Sequence, residues 1–411
     1  MLTTTYDVIV VGARVAGAPT AMLLARKGHR VLLVDKATFP SDTISTHNLT
    51  LAAMASLKRW GLYDTIAASD CPPVDRVLFD IEGLILEGWD GPFEGIEKMY
   101  NVRRSALDEI LVRAAEEAGV DVRQGFNVDE LIIEDGVCRG IRGRSRNGEA
   151  LVARASIVVG ADGRHSRVAA AMGAAEYNTA PSKTFTYYSY YAGLDMKGRM
   201  EFYDREGATI VAQPTSGNLA MVAVIQPIAL FKQCRANIEA GLDAVLQRAP
   251  EFYTRLQAAT RVERMLGSAD VPTGMRVPYG PGYALVGDAG VHVDPTMGQG
   301  ITNAFRDADL LADAIDSGLR GEQPMEEALA AFHQARDEAV LPMFELINEM
   351  ISGEPPSEEF IAVLEALPGN KRQVNRFIGV MLGTVPVADF YSEANLTSIV
   401  EEASSQERAA A

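Results

Sequence analysis

Cysteine is nearly absent: three residues in 411, at positions 71, 138 and 234. They stand far apart, with no CxxC pair and no paired histidines nearby. That spacing excludes a disulfide-stapled scaffold and a structural zinc site, and it fits reduced thiols in a cytoplasmic protein. Tryptophan is scarcer still, with only Trp60 and Trp89. Positive charge is in deficit: 38 Lys and Arg against 55 Asp and Glu give a net charge of −17. So acidic a surface repels phosphate backbones, so nucleic acid and anionic membranes are not expected partners, although a local basic pocket can still take a small anion. No apolar run reaches the roughly 18 residues that cross a bilayer, and residues 1–6 lack the basic-then-apolar pattern of a secretory signal. A soluble cytoplasmic protein without internal repeats is the expectation.

What is present is ordinary globular composition, 47% hydrophobic and 23% charged, in a chain long enough for more than one compact unit. Residues 6–35 read YDVIVVGARVAGAPTAMLLARKGHRVLLVD. Residues 8–11 form a short β-branched run, as in a strand buried on both faces of a parallel sheet. Gly12 breaks it, residues 16–26 are rich in helix formers, and Lys27-Gly28 supplies a basic last turn and a stop. Residues 31–34 form a second buried strand ending in Asp35. This is a βαβ unit with a right-handed crossover.

Its turn, GARVAG, runs Gly12, Ala13, Arg14, Val15, Ala16, Gly17. A dinucleotide fingerprint places glycine at the first, third and sixth positions. Gly12 serves the tight turn and Gly17 the close helix–strand contact, but Arg14 replaces the middle glycine. Its side chain either tilts away from a diphosphate or adds a charge-assisted contact to it. Asp35 stands where a carboxylate takes the ribose hydroxyls, with Lys36 beside it. Two more strand-like runs follow, residues 155–161 leading into Asp162-Gly163-Arg164-His165-Ser166-Arg167 and residues 283–288 leading into AGVHVDPTMGQGITNA. A helical segment occupies 301–315.

GARVAG, GADGRHS and GDAGVHVDPTMGQGITNAF together resemble, in order and spacing, the single-component FAD-dependent aromatic hydroxylases. These share the para-hydroxybenzoate hydroxylase-like fold, and the wider group includes geranylgeranyl reductases and flavin-dependent halogenases. The resemblance covers residues 5–340. It implies an α/β chain with a Rossmann-like FAD-binding domain of the glutathione-reductase type, an inserted, mostly antiparallel substrate sheet and C-terminal helices. The expected division is 1–75, 100–180 and 270–340 for FAD, 76–99 and 181–269 for substrate, and 341–411 as a helical segment. It also implies roles. Gly287-Asp288 would hold the ribityl chain. Gly298, Gly300, Ile301 and Thr302 would open a helix under the pyrimidine edge of the ring, where reduction places negative charge. Pro295 would line the reactive face of the ring, Arg104 (next to Arg103) would touch the phosphates, and Val128 would pack near adenine. Asp162 and Gly163 match a motif tied to both FAD and nicotinamide, with His165 and Arg167 either contacting nicotinamide or forming a solvated turn.

The loop 39–49 (FPSDTISTHNL) would run along FAD. His47 either holds a substrate oxygen or shuttles a proton, or it sits in the first turn of helix 49–60 behind a Thr46 or Ser45 cap. Residues 184–192, 199–203 and 218–225 read as aromatic-rich antiparallel strands, with 78–86 as another. Alternation sets Tyr188 and Tyr190 on one face and Phe185, Tyr187 and Tyr191 on the other. Tyr188, Tyr190 and Phe202 are the candidate substrate-pocket residues, and His47 and Pro295 the candidate catalytic ones. Helices are expected at 237–256, 326–351 and 357–382, with a frayed end at 404–411.

The resemblance implies a monooxygenase that takes hydride from NADH or NADPH onto FAD. It would then pass oxygen from dioxygen, through a flavin hydroperoxide, to an aromatic or polyketide-like small molecule. A reductase of C=C bonds is the main alternative, and a non-enzymatic flavin-binding protein a remoter one. Flavin halogenases carry a WxWxIP motif and a catalytic lysine, and neither tryptophan here stands in that setting. The oligomeric state, monomer or homodimer, is open.

Overall fold

The structure, a computed structural model, describes residues 3–410. Strand Thr3–Val11, helix Gly17–Arg26 and strand Val31–Asp35 form the expected βαβ unit, the two strands parallel with Val8 opposite Val31. Gly28, at φ +96°, takes the left-handed turn that ends the helix. Ala150–Gly160 pairs in parallel on the far side of the first strand, and Tyr283–Leu285 in parallel beyond it. Asp121–Gln124 extends the other edge. Val8, Ile9, Val10, Leu32 and Leu33 are fully buried, because helices or the antiparallel strands Phe126–Glu134 and Val137–Ser145 cover both faces of this sheet.

The second sheet runs in the order Thr260–Arg261, Thr184–Ala192, Leu219–Pro227, Ala208–Thr215, Arg199–Arg205, Arg76–Ile81, Leu84–Gly88. All pairs are antiparallel except Arg199–Arg205 with Arg76–Ile81, which is parallel. Two details correct the sequence reading. The single strand expected at 78–86 is a hairpin turning at Glu82-Gly83, both at positive φ. Ala208–Thr215 is an additional inner strand, hidden in the sequence because Pro214 argues against an inner strand; the proline sits near its end, opposite Ala220. A small third sheet joins Glu176–Ala180, Thr273–Arg276 and Val291–His292.

The two faces of the second sheet differ in what covers them. Leu78, Tyr191, Tyr203, Ile210, Val222 and Val224 pack beneath helices Ile238–Leu246 and Pro250–Gln257. Tyr188, Tyr190, Met200, Phe202, Val211, Met221 and Ala223 face the first sheet and its helices, in one continuous core. The C-terminal part is helical: Met325–Met350, Glu358–Ala366, Lys371–Leu382 and Glu393–Ala410, the last a helix where the composition had suggested a frayed tail. All three cysteines are free and buried. Among the described residues, no helix is long and apolar enough to cross a membrane, and no His, Cys, Asp and Glu cluster is built to hold a metal.

Candidate active site

A cavity of about 1280 Å³ starts at the carboxyl ends of the parallel strands and reaches the inner face of the second sheet. That strand end is where open α/β sheets take their ligands. At Gly12, φ is +104° and a Cβ would lie 2.3 Å from the Ala161 carbonyl oxygen; at Gly17 it would lie 1.8 Å from the Gly12 oxygen. Both glycines therefore serve close backbone packing. Gly12, Arg14, Val15 and Ala16 line the cavity. Ala13 and Gly17 lie behind its wall, and the Ala13 amide donates to Asp35 Oδ2 at 2.7 Å, while Asp35 Oδ1 accepts from Ala37 at 2.7 Å. Asp35 thus braces the turn and, with Lys36, edges the cavity.

Arg14 turns aside. Its guanidinium donates to Asp108 Oδ2 at 2.5 Å and to Ser41 Oγ at 2.9 Å, and lies 5.4 Å above the Phe39 ring. Asp108 is fully buried and also accepts from Arg104 Nε at 2.9 Å. The carboxylate holds one arginine away from the turn and keeps Arg104 at the cavity wall. Arg103 points elsewhere, to Asp42 and Glu263, with its guanidinium 4.1 Å from the Tyr190 ring centroid.

In the second motif, Asp162 caps helix Arg167–Met172: its carboxylate accepts from the Arg167 amide at 2.7 Å and from Ser166 Oγ at 2.6 Å. Asp162, Gly163 and Val128 all lie on the wall, and Arg167 donates to the Val128 carbonyl at 2.9 Å. His165 is exposed and pairs with Asp270 at 2.9 Å.

In the third motif the strand stops at Leu285, short of the expected 288. The chain then turns at Gly287, φ +62°, where a Cβ would meet Ala16 Cβ at 2.6 Å. This delivers the Asp288 carboxylate to the cavity, deep in the molecule yet open to the space it faces. Burial raises its pKa, with Arg104 and Arg164 pulling it down. Asp294, fully buried, accepts from the Thr296 amide at 3.0 Å and from Thr184 Oγ1 at 2.5 Å, fixing the turn that places Pro295 on the wall. Gly298 lies against Asn48, and its missing Cβ would fall 2.8 Å from Asn48 Nδ2. Helix Gly300–Arg320 starts at the cavity, and a Cβ at Gly300 would meet nothing within 4 Å. Gly298, Gly300 and Ile301 line the wall; Thr302 does not, since its hydroxyl pairs with Thr50 Oγ1 at 2.9 Å.

His47 stands behind the wall, fully buried at φ +60°, with Nε2 2.6 Å from the Tyr190 hydroxyl. Burial lowers its pKa to about 3, so the ring is neutral. It is not in a first helical turn: the helix is Leu51–Arg59 and its cap is Thr50, whose Oγ1 accepts from the Ala53 amide. Tyr188 and Phe202 line the cavity, whereas Tyr190 is sealed between His47 and Arg103. Sequence reasoning missed Asp108, Thr186 and Gln213. For Gln213 one signal existed, a lone amide directly after the run ATIVA at 208–212, but the strand itself was not recognised.

The wall suits a long dinucleotide. The amide ends of helices Gly17–Arg26 and Gly300–Arg320 offer donors, Asp35 and Asp288 offer acceptors for sugar hydroxyls, and Gly300 leaves open space. The family model described as the FAD binding domain matches residues 5–344. The chain belongs to this FAD-binding family. Its relatives are FAD-dependent enzymes, and the chain is an FAD-dependent oxidoreductase. It is 26% identical to tryptophan 2-halogenase of Chondromyces crocatus, over 80% of this chain and 64% of that protein. It is 31% identical to digeranylgeranylglycerophospholipid reductase of Methanosarcina mazei, over 76% of each. YetM of Bacillus subtilis, provisionally named an FAD-dependent monooxygenase, is 23% identical over 86% of this chain and 96% of its own length. The solved structure of flavin-dependent brominase Bmp2 superposes with a TM-score of 0.81 at 20% identity, covering 98% of this chain and all of that one.

Proposed function

We propose that this enzyme is an NADH- or NADPH-dependent FAD monooxygenase that places an oxygen atom from dioxygen on an aromatic or polyketide-like small molecule. The observation that carries the reading is the character of the cavity's far half. There the second sheet contributes Met200, Phe202, Val211, Met221, Ala223 and Ile225, and no charged side chain. Such a wall holds an apolar ring and keeps water from the reacting centre. When bound, FAD supplies the redox chemistry, accepting hydride and activating dioxygen. Asp35, Arg104 and Asp288 would hold its sugar and phosphate parts, and the open amide end at Gly300 would favour the negative charge of the reduced ring. Pro295 would define the ring's reactive side. His47 would act as a positioning residue, fixing the loop through Tyr190 and touching neither ring nor substrate.

A halogenase reading is favoured by the 26% identity to tryptophan 2-halogenase and opposed by the wall, where among the described residues the only lysine is Lys36, beside Asp35 at the end opposite the apolar sheet. Reduction of a C=C bond is favoured by one finding, the 31% identity to the archaeal reductase. Aerobic turnover against phenols and polycyclic aromatics tests the proposal. Substrate-stimulated oxygen uptake, with the product oxygen derived from dioxygen, is expected. Turnover only without oxygen would favour the reductase, and a requirement for bromide or chloride the halogenase.

A further inference from the structure

Three side chains on the apolar wall carry buried polar atoms that lack a well-aligned hydrogen-bond partner among the described residues: Thr186 Oγ1, Gln213 Oε1 and Tyr188 Oη, the last with the Ser45 backbone and the Tyr190 hydroxyl nearby. The strand register fixes their arrangement. Tyr188, Ala223, Val211 and Phe202 stand opposite one another in a single row across four strands. Gln213 belongs to the next row, opposite Met221, and Thr186 to the row on the other side, opposite Ile225. Tyr188 and Gln213 are thus diagonal neighbours two strands and one row apart, roughly 12 Å between Cα atoms. The methyl of Ala223 is the smallest side chain between them and leaves room for a ring.

The polarity of Gln213 is set by its partner. Gln213 Nε2 donates to the Thr46 carbonyl at 2.5 Å, and only an amide N–H can do so; Oε1 is therefore the free end and accepts. The Tyr188 hydroxyl stays protonated, its pKa raised by burial, and so keeps an O–H to donate. The charged residues on the wall, such as Arg104, Asp288 and Arg164, come from elements of the first sheet and its loops; none comes from the second sheet. A substrate carboxylate there would be desolvated without a counter-charge. Buried polar atoms left unpaired are costly, and a site that holds them selects ligands that pair them.

Resting on the monooxygenase reading of this cavity, we propose that Gln213 and Tyr188 are its specificity-determining pair. They select an uncharged substrate that offers an O–H or N–H to Gln213 Oε1 and a carbonyl-type acceptor to Tyr188, and they exclude carboxylates. Thr186, either donor or acceptor, tolerates a second oxygen.

The test is binding to the FAD-loaded enzyme without reductant, read as perturbation of the flavin absorbance. The outcome is thus independent of whether oxygenation follows, and a failure of the monooxygenase reading shows up separately in turnover. The probes are para-hydroxybenzophenone, benzophenone without the donor, para-benzylphenol without the acceptor, and the anion para-benzoylbenzoate. Para-hydroxybenzophenone should bind about tenfold or more tighter than each of the others. Gln213→Leu should abolish its advantage over benzophenone, and Tyr188→Phe, which keeps the ring and the packing, its advantage over para-benzylphenol. Equal affinities, no spectral change with para-hydroxybenzophenone, tight binding of the anion, or preferences unaltered in the variants would overturn the proposal.

Discussion

At the scale of single residues, two glycines of the site separate folding from binding. Gly12 has no room for a Cβ and a φ of +104°, so Gly12→Ala should destabilise the chain by roughly 2 kcal/mol or more and cost FAD retention as well. Gly300 has open space beside it, so Gly300→Leu should leave the thermal midpoint of the FAD-free protein nearly unchanged while lowering FAD affinity, measured by flavin fluorescence titration. His47 predicts a pH dependence. Its pKa falls from 6.5 to about 3 through burial, so the unfolded chain takes up the proton first as the pH drops. The associated stability is complete above pH 6.5 and drains as the pH falls toward 3; His292, lowered to about 4, adds in the same direction. His47→Gln should lose less stability than the parent chain between pH 7 and pH 4, by roughly 3 kcal/mol in urea titrations. The glycines were legible in the sequence because a tight turn is a local demand. Gln213 was not, because its partner Thr46 lies 167 positions away and only the folded sheet brings them together. Arg14 was half legible: the sequence showed that it could not lie in the turn as a glycine would, but not that the buried Asp108 would claim it.

At the scale of elements, the cavity wall is held by contacts between segments distant in sequence. Asp108 joins the first turn, the helix Arg104–Glu117 and, through Arg14, the loop around Ser41. Removing one side of a buried ion pair leaves charge uncompensated, so Asp108→Ala should cost roughly 3 kcal/mol in equilibrium unfolding, and Arg14→Ala, whose partner keeps Arg104, distinctly less. Gln299, 4% exposed, donates to the carbonyls of Met297 and Met381, each at 2.9 Å, and so ties the loop ahead of helix Gly300–Arg320 to the C-terminal helix Lys371–Leu382. The βαβ unit and the long C-terminal helices could be read from period and composition, since each follows from its own residues. The pairing of Arg76–Ile81 with Arg199–Arg205 could not, because nothing in either segment names its partner.

For the whole molecule, the cavity is lined by both sheets, so an occupant that fills it would touch both. Anything that binds the folded state alone stabilises it by mass action. FAD at a hundredfold excess over its Kd should therefore add about 2.7 kcal/mol, or roughly 3 °C in thermal midpoint for a chain of this length. A thermal shift series against FAD, with ADP-ribose as the truncated control, measures this; equal shifts from both would mean that the ring end contributes nothing.

The parallel pairing within the second sheet also has a consequence for synthesis. Arg76–Ile81 and its hairpin leave the ribosome more than a hundred residues ahead of the strand that must lie beside them. Until Arg199–Arg205 emerges, the inner edge of that hairpin is an uncapped template for pairing with other nascent chains. Translation speed and chaperone supply should therefore govern the yield of this enzyme more strongly than the stability of its finished state.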